Sequence, residues 1–239
     1  MNLDFVKTPF TNNPSMVRHE GIAFNKNSND FYVKKKKNEL RLHGNFLYGE
    51  SKLSIARGLK NEVANYIEAE SDFSLEDLTL TIEEDFAVMY KGHMELVSVC
   101  FPSGWVPVKK IGQKLSSIHA PVADNDQLLQ SSEKLSTYMT KQSIKRWVWT
   151  VTTCSELSNF PGFKQPEADR LDDLYFRVET QTSVPLGVDT SLFFIKVEVV
   201  PLQKVWDEKI LDSINSMSEN ILNYKDLKQI KKLLNTIKV

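Results

Sequence analysis

One histidine is marked by its position. In the stretch IGQKLSSIHAPV, residues 111–122, His119 follows Ile111 and Leu115 at steps of four, on the apolar stripe of an expected helix and directly before Ala120-Pro121. Pro121 disfavours helical geometry in the residue before it, so the helix should stop there. Such a histidine is either packed in the core or a ligand, and the residues alone favour packing. Zinc suits it poorly, because His19, His43, His93, Cys100 and Cys154 show no ligand spacing. Haem iron is compatible, since the porphyrin supplies four nitrogens and one protein histidine can hold the metal.

A second group lies in LYFRVETQ, residues 174–181, where Arg177, Glu179 and Gln181 alternate with Phe176, Val178 and Thr180. Residues two apart on a strand share a face. Arg177 and Glu179 are then either an ion pair of little consequence or part of a polar wall over a pocket, and both readings stand. There is no GxSxG, P-loop, HExxH or GxGxxG pattern. Trp147 and Trp149 are not interleaved with basic residues, so they suit core and rim better than a nucleic-acid stacking platform.

Several elements must position these groups. Leu53, Ile55, Ala56, Leu59, Val63, Tyr66 and Ile67 recur at helical spacing from a start near Ser51, and Ser74 caps a short turn. FAVMYK (86–91) and HMELVSVC (93–100) flank Gly92 as a hairpin. A helix is expected from about Val106 to Ile118, and a more polar one from Asp126 to Gln142. RWVWTVTTC (146–154), LYFRVETQ (174–181) and LFFIKVEVVPL (192–202) read as strands, followed by helices over about 203–222 and 225–237. The last two strands lie about ten residues apart, too close for a parallel crossover of roughly a dozen or more. The expectation is an α+β fold: an antiparallel sheet of about five strands, helices on one side, and a pocket between them. Residues 1–48 read as an irregular lead-in, 49–205 as the main domain and 206–239 as C-terminal helices packed on it.

The 239 residues carry 30 Lys and Arg against 31 Asp and Glu, so no global field points to nucleic acid or an anionic membrane. Lys34-Lys35-Lys36-Lys37 is the one dense basic run, and with Glu39 close by it reads as a solvated segment. Two cysteines without CxxC spacing, Cys100 and Cys154, suit buried free thiols in a reducing compartment. The start MNLDFVKTPFTNN is unlike a signal peptide, and no apolar run approaches the ~20 residues of a membrane span. A cytoplasmic protein is expected.

Four segments in order, Phe101-Pro-Ser-Gly-Trp105 with Lys110-Ile-Gly and Ile118-His119-Ala-Pro121-Val122, Arg146 with Trp147 and Trp149, Arg177-Val-Glu179-Thr-Gln181-Thr182, and Leu192-Phe-Phe-Ile with Pro201-Leu202, resemble the haem-dependent oxidative N-demethylase alpha-subunit-like family over residues 40–205. The resemblance implies a PAS-like sheet enclosing haem b and a monooxygenase-type oxidoreductase that demethylates a small secondary amine with O₂. Electrons would come from a separate flavin and iron–sulfur reductase. His119 becomes the axial ligand, with His93 in reserve, and Arg146, Trp105 and Lys110 become further cofactor contacts. Glu179 would orient the amine or relay a proton, and Arg177 or Arg146 would neutralise propionates or polarise oxygen. Three positions depart from the family: Ala123-Asp124-Asn125 replaces Pro-Gly-Tyr, Val148 replaces an asparagine, and Thr180 replaces an arginine. The alternatives are a non-catalytic haem or small-ligand sensor of the same fold, or a homologue whose pocket is filled by side chains.

Overall fold

All five expected strands form, and every pairing between them is antiparallel. The computed structural model describes residues 1–12, 16–27, 30–70 and 72–236. In chain order the strands are β1 (Val17–Arg18), β2 (Tyr48–Glu50), β3 (Asp85–Tyr90), β4 (His93–Ser98), β5 (Ile144–Thr152), β6 (Tyr175–Gly187) and β7 (Thr190–Pro201). The sheet therefore has seven strands among the described residues, ordered β1-β5-β6-β7-β3-β4-β2, rather than about five. The extra two are edge strands of two and three residues, too short to display an alternating pattern.

Turn chemistry sets the hairpins. Lys91 and Gly92 both have positive φ, 47° and 77°, the backbone of a two-residue type I′ turn whose twist matches the flanking strands. β6 and β7 run on to a two-residue loop, with Gly187 paired to Thr190 and Asp189 at φ 57°. The short spacing between the two predicted strands is thus the inner half of one long hairpin.

The helices are α1 (Asp30–His43), α2 (Lys52–Arg57), α3 (Leu59–Tyr66), α4 (Leu75–Thr81), α5 (Leu115–His119), α6 (Asp126–Met139), α7 (Glu208–Asn215), α8 (Glu219–Tyr224) and α9 (Lys228–Thr236). Three expectations about helices are corrected. The periodic run after Ser51 is two helices, because Gly58 in the left-handed conformation, φ 69°, ends α2. The helix expected over 106–118 breaks into a 3-10 turn, Pro107–Lys110, and α5. Between these pieces Gly112 donates to Met94 O at 2.7 Å and Met94 donates to Gln113 O at 3.0 Å, so pairing with β4 displaces the helical bonds. The two C-terminal helices are a 3-10 turn and three short helices, with Asp207 capping α7 and Ser218 capping α8.

The lead-in holds the 14-residue α1, and its lysine run is not solvated throughout. Lys36 is wholly buried, and its ammonium donates to Thr79 O (2.9 Å), Ile82 O (3.0 Å) and Glu84 O (2.7 Å). Asp85 Oδ1 lies 3.6 Å away. A buried ammonium persists only when its donors are matched this way.

Helices pack on both faces of the sheet, not one. Trp149, Val151, Phe176 and Val178 meet Ile210, Ile214, Leu222 and Leu234 of the C-terminal helices, together with Leu3 and Val6. Phe86, Val88, Leu192 and Phe194 continue that face and meet Leu59 and Val63 of α3 and Leu78 of α4. The opposite face carries Arg177, Glu179 and Gln181. There Ala87, Met89, Val97 and Ile195 pack with Trp105, Ile111, Leu115 and Ile118, and Val197 packs near Tyr32 of α1. Cys100 and Cys154 are buried free thiols, as expected. Among the described residues no helix is long and apolar enough to cross a membrane.

Candidate functional site

The alternation in β6 does place Arg177, Glu179 and Gln181 on one face, and side-chain bonds link them. Glu179 accepts from Gln181 Nε2 at 3.0 Å and from Ser103 Oγ at 2.5 Å, with Arg177 Nη2 at 3.5 Å. Across the ladder Arg146 stands opposite Gln181, and its Nε donates to Gln181 Oε1 at 2.8 Å. The result is a continuous polar row, Arg146–Gln181–Glu179–Arg177.

Arg177 is the structural end of that row. It donates to Leu157 O, to Phe101 O at 3.2 Å and to Ser103 Oγ at 2.9 Å, and its side chain is 3% exposed. It therefore fastens the loops at 101–103 and 157 onto the sheet. Arg146 differs. Apart from the Nε bond its guanidinium makes no hydrogen bond among the described residues, and it lines a cavity of about 480 Å³ beside β5. β1 covers β5 only at Ile144 and Lys145, which leaves the following edge of β5 open for that cavity.

His119 is the last residue of α5 rather than one beyond the helix end. Its Nδ1 lies 2.9 Å from Leu115 O, and since a carbonyl only accepts, Nδ1 carries the proton. Nε2 makes no hydrogen bond among the described residues. Burial holds the imidazole below its ordinary pKa, the Leu115 carbonyl partly offsets this, and the positive charges of Arg146 and Lys110 lower it further. The neutral imidazole with a fixed tautomer and an uncommitted Nε2 is the form that ligates a metal.

The structure thus brings His119, Arg146 and Lys110 into one electrostatic neighbourhood. Trp105 sits in the apolar cluster beside Ile118, on the same side of the sheet. His93 stays apart, lining a polar cleft with Gly92, Lys114 and Ser136. The loop after His119 is held at both ends. Asn125 Nδ2 donates to His119 O at 2.5 Å, while Asp124 accepts from Ser218 Oγ and from Asn220 Nδ2 at 3.1 Å, tying the loop to α8.

Sequence reasoning missed part of this site. Lys225, just after α8, lines the cavity and donates to Trp149 O at 2.8 Å. Burial pulls its pKa down to about 8, Glu179 opposes that shift and Arg146 adds to it. Phe5 stacks on Trp147 at 5.7 Å, and Phe10 meets Trp149 edge-on at 6.1 Å. A lysine at a helix end and phenylalanines in an irregular segment carry no periodic signal. Ser103 stood inside a matched motif, and its serine hydroxyl was the available clue.

No group of three or more His, Cys, Asp or Glu side chains able to hold a metal ion occurs among the described residues. What the chain offers is one imidazole of fixed tautomer, the guanidinium groups of Arg146 and Arg177, and apolar rings along an antiparallel sheet. Residues 42–235 match the family described as haem-dependent oxidative N-demethylase, alpha subunit-like, and the chain belongs to that family. The match runs past residue 205, where the motif resemblance ended, and takes in the C-terminal helices. No curated protein matches the sequence.

Proposed function

We propose that this chain is a haem b protein with a PAS-like sheet, in which His119 is the axial ligand, and that it serves oxygen-dependent demethylation of a small secondary amine. Bound haem would supply the redox chemistry of oxygen activation, with electrons from an external flavin and iron–sulfur reductase. The observation that carries the reading is His119: its Nδ1–H is tied to Leu115 O, its Nε2 is uncommitted, and it belongs to a chain of a haem-dependent family. Membership of that family also supports the oxidoreductase class.

The chain's own residues divide the remaining work. Arg146 and Lys110 put positive charge beside His119, where the carboxylates of a haem would be neutralised. Arg177 holds the Phe101–Ser103 loop against the sheet, so its part is positioning. Glu179 offers the amine a carboxylate that Ser103 and Gln181 already orient. Trp105 and Ile118 keep the neighbouring surface dry.

The test is the visible spectrum of the chain expressed with ample haem. A strong Soret band is expected, lost or shifted in spin state in His119→Ala while the far-UV spectrum stays unchanged. With a chemical reductant, small secondary amines should stimulate O₂ uptake and release formaldehyde. An unaltered spectrum in His119→Ala would move the ligand role elsewhere. The second reading, a non-catalytic haem or small-ligand sensor, is favoured by one observation: Glu179 already has three partners. It prevails if reduced protein binds CO but no amine yields aldehyde.

A further inference from the structure

We propose that the cavity at the open edge of β5 binds an organic carboxylate, clamped between the Arg146 guanidinium and the Lys225 ammonium, with the rest of the ligand lying along the strand edge towards Phe5 and Phe10. Its volume of about 480 Å³ falls within the roughly 300–1,000 Å³ of small-molecule sites. Its charges do not balance: Arg146, Lys225 and Lys7 face a single lining carboxylate, Asp4, whose Oδ2 accepts from Asn2 Nδ2 at 2.7 Å.

Neither Arg146 nor Lys225 forms a salt bridge among the described residues. Glu179 reaches both by its field, yet its hydrogen bonds go to Ser103, Gln181 and Arg177. Lys225 has three donors and one acceptor, Trp149 O. Arg146 has five and uses one, on Gln181. Two half-buried cations with unused donors favour an anion that pairs with both. The walls specify the rest of the ligand: Phe5, stacked on Trp147, and Phe10 give the cavity an apolar side that suits a flat or aliphatic body. A simple dialkylammonium would meet two like charges here.

The carboxylate has two sources. One is a propionate of haem; the other is a separate small molecule, such as an N-methylated amino acid whose amine faces Glu179. The first source rests on the haem reading, whereas the clamp itself does not.

The experiment follows tryptophan fluorescence of the full haem-free chain during titration with benzoate and with benzamide, its neutral counterpart. Saturable benzoate binding is expected, at least tenfold tighter than benzamide. Arg146→Gln and Lys225→Met should each weaken benzoate at least tenfold, while Lys225→Arg retains it. Equal binding of benzoate and benzamide by the unaltered protein overturns the proposal, whether or not the variants fold. So do folded variants that bind benzoate like the parent. Repeating the titration on haem-loaded protein assigns the source: loss of benzoate binding points to a propionate, and retention points to a second ligand. A chain that takes up no haem but binds benzoate refutes the haem reading and leaves the clamp standing.

Discussion

Lys36→Met puts the buried ammonium under the sharpest test. Lys36 and Asp85 are both 0% exposed, and the ammonium satisfies three backbone carbonyls besides facing the carboxylate at 3.6 Å. Methionine replaces the aliphatic stem, so lost packing contributes little. Removing one member of a buried ion pair costs about 3–5 kcal/mol, and each hydrogen bond to a charged group is worth about 1.5–3 kcal/mol. These figures describe the same group and do not add, which sets the expected loss at about 4 kcal/mol. At a urea m-value of about 3 kcal/mol/M the midpoint should fall by roughly 1.3 M. The pH dependence identifies the cause. Burial raises the Asp85 pKa, while Lys36 and the backbone amides of Cys100 and Phe101 oppose it. Without Lys36 the carboxyl rises further. A carboxyl raised in the fold favours the folded state at low pH, and that contribution is lost as pH rises through the folded value. The deficit of Lys36→Met should therefore be larger at pH 8 than at pH 5, and adding Asp85→Asn should recover part of it. A variant within 1 kcal/mol of the parent at pH 8, or a deficit independent of pH, would refute the reasoning.

Arg177→Met should lower stability by about 3–5 kcal/mol, since it strips a buried guanidinium from two carbonyls and a hydroxyl, and Arg177→Lys should restore little because an ammonium lacks the fork geometry; thermal unfolding of both variants measures this. Glu179→Gln should retain haem yet reduce amine-dependent turnover at least tenfold, about 1.4 kcal/mol; unchanged turnover would make this row purely structural. His119, held by burial below the ordinary imidazole value of about 6.5, contributes stability above that value that is lost as pH falls through its lowered folded pKa. The urea midpoint of the parent should accordingly fall more steeply below pH 6.5 than that of His119→Gln, and parallel curves would count against a buried neutral imidazole.

Legibility followed the range of each signal. The long strands were readable because β5, β6 and β7 are 9, 13 and 12 residues long and at least one face of each is sharply patterned. The antiparallel order followed from short connections. Helix continuity was not readable, because it depends on what the backbone meets in space. Ile111, Leu115 and Ile118 keep helical spacing and all reach the apolar cluster, but they do so across a 3-10 turn and a segment paired with β4. Lys36 misled for the opposite reason. Nothing in four consecutive lysines says which one turns inward. That is decided by α1 packing against the end of α4, where the Thr79 and Ile82 carbonyls are left without helical amide donors.

The polar row explains why motifs far apart in sequence occur together. Glu179 and Arg177 are presented by β6, but their orientation depends on Ser103 and Phe101, some 75 positions earlier, through the bonds to Ser103 Oγ and Phe101 O. Phe101 in turn is held by its own amide, which donates to Asp85 Oδ2 at 2.8 Å, and Asp85 faces Lys36. A buried charge is tolerated where its hydrogen bonds are complete. Lys36, Asp85 and Arg177 are therefore each fixed by backbone groups of another segment, and Glu179 by the side chains of Ser103, Gln181 and Arg177. Arg146 at the far end lacks such a segment. It lines the cavity at the edge of β5 with donors unused, which is why ligand chemistry is expected at that end of the row and anchoring at the other.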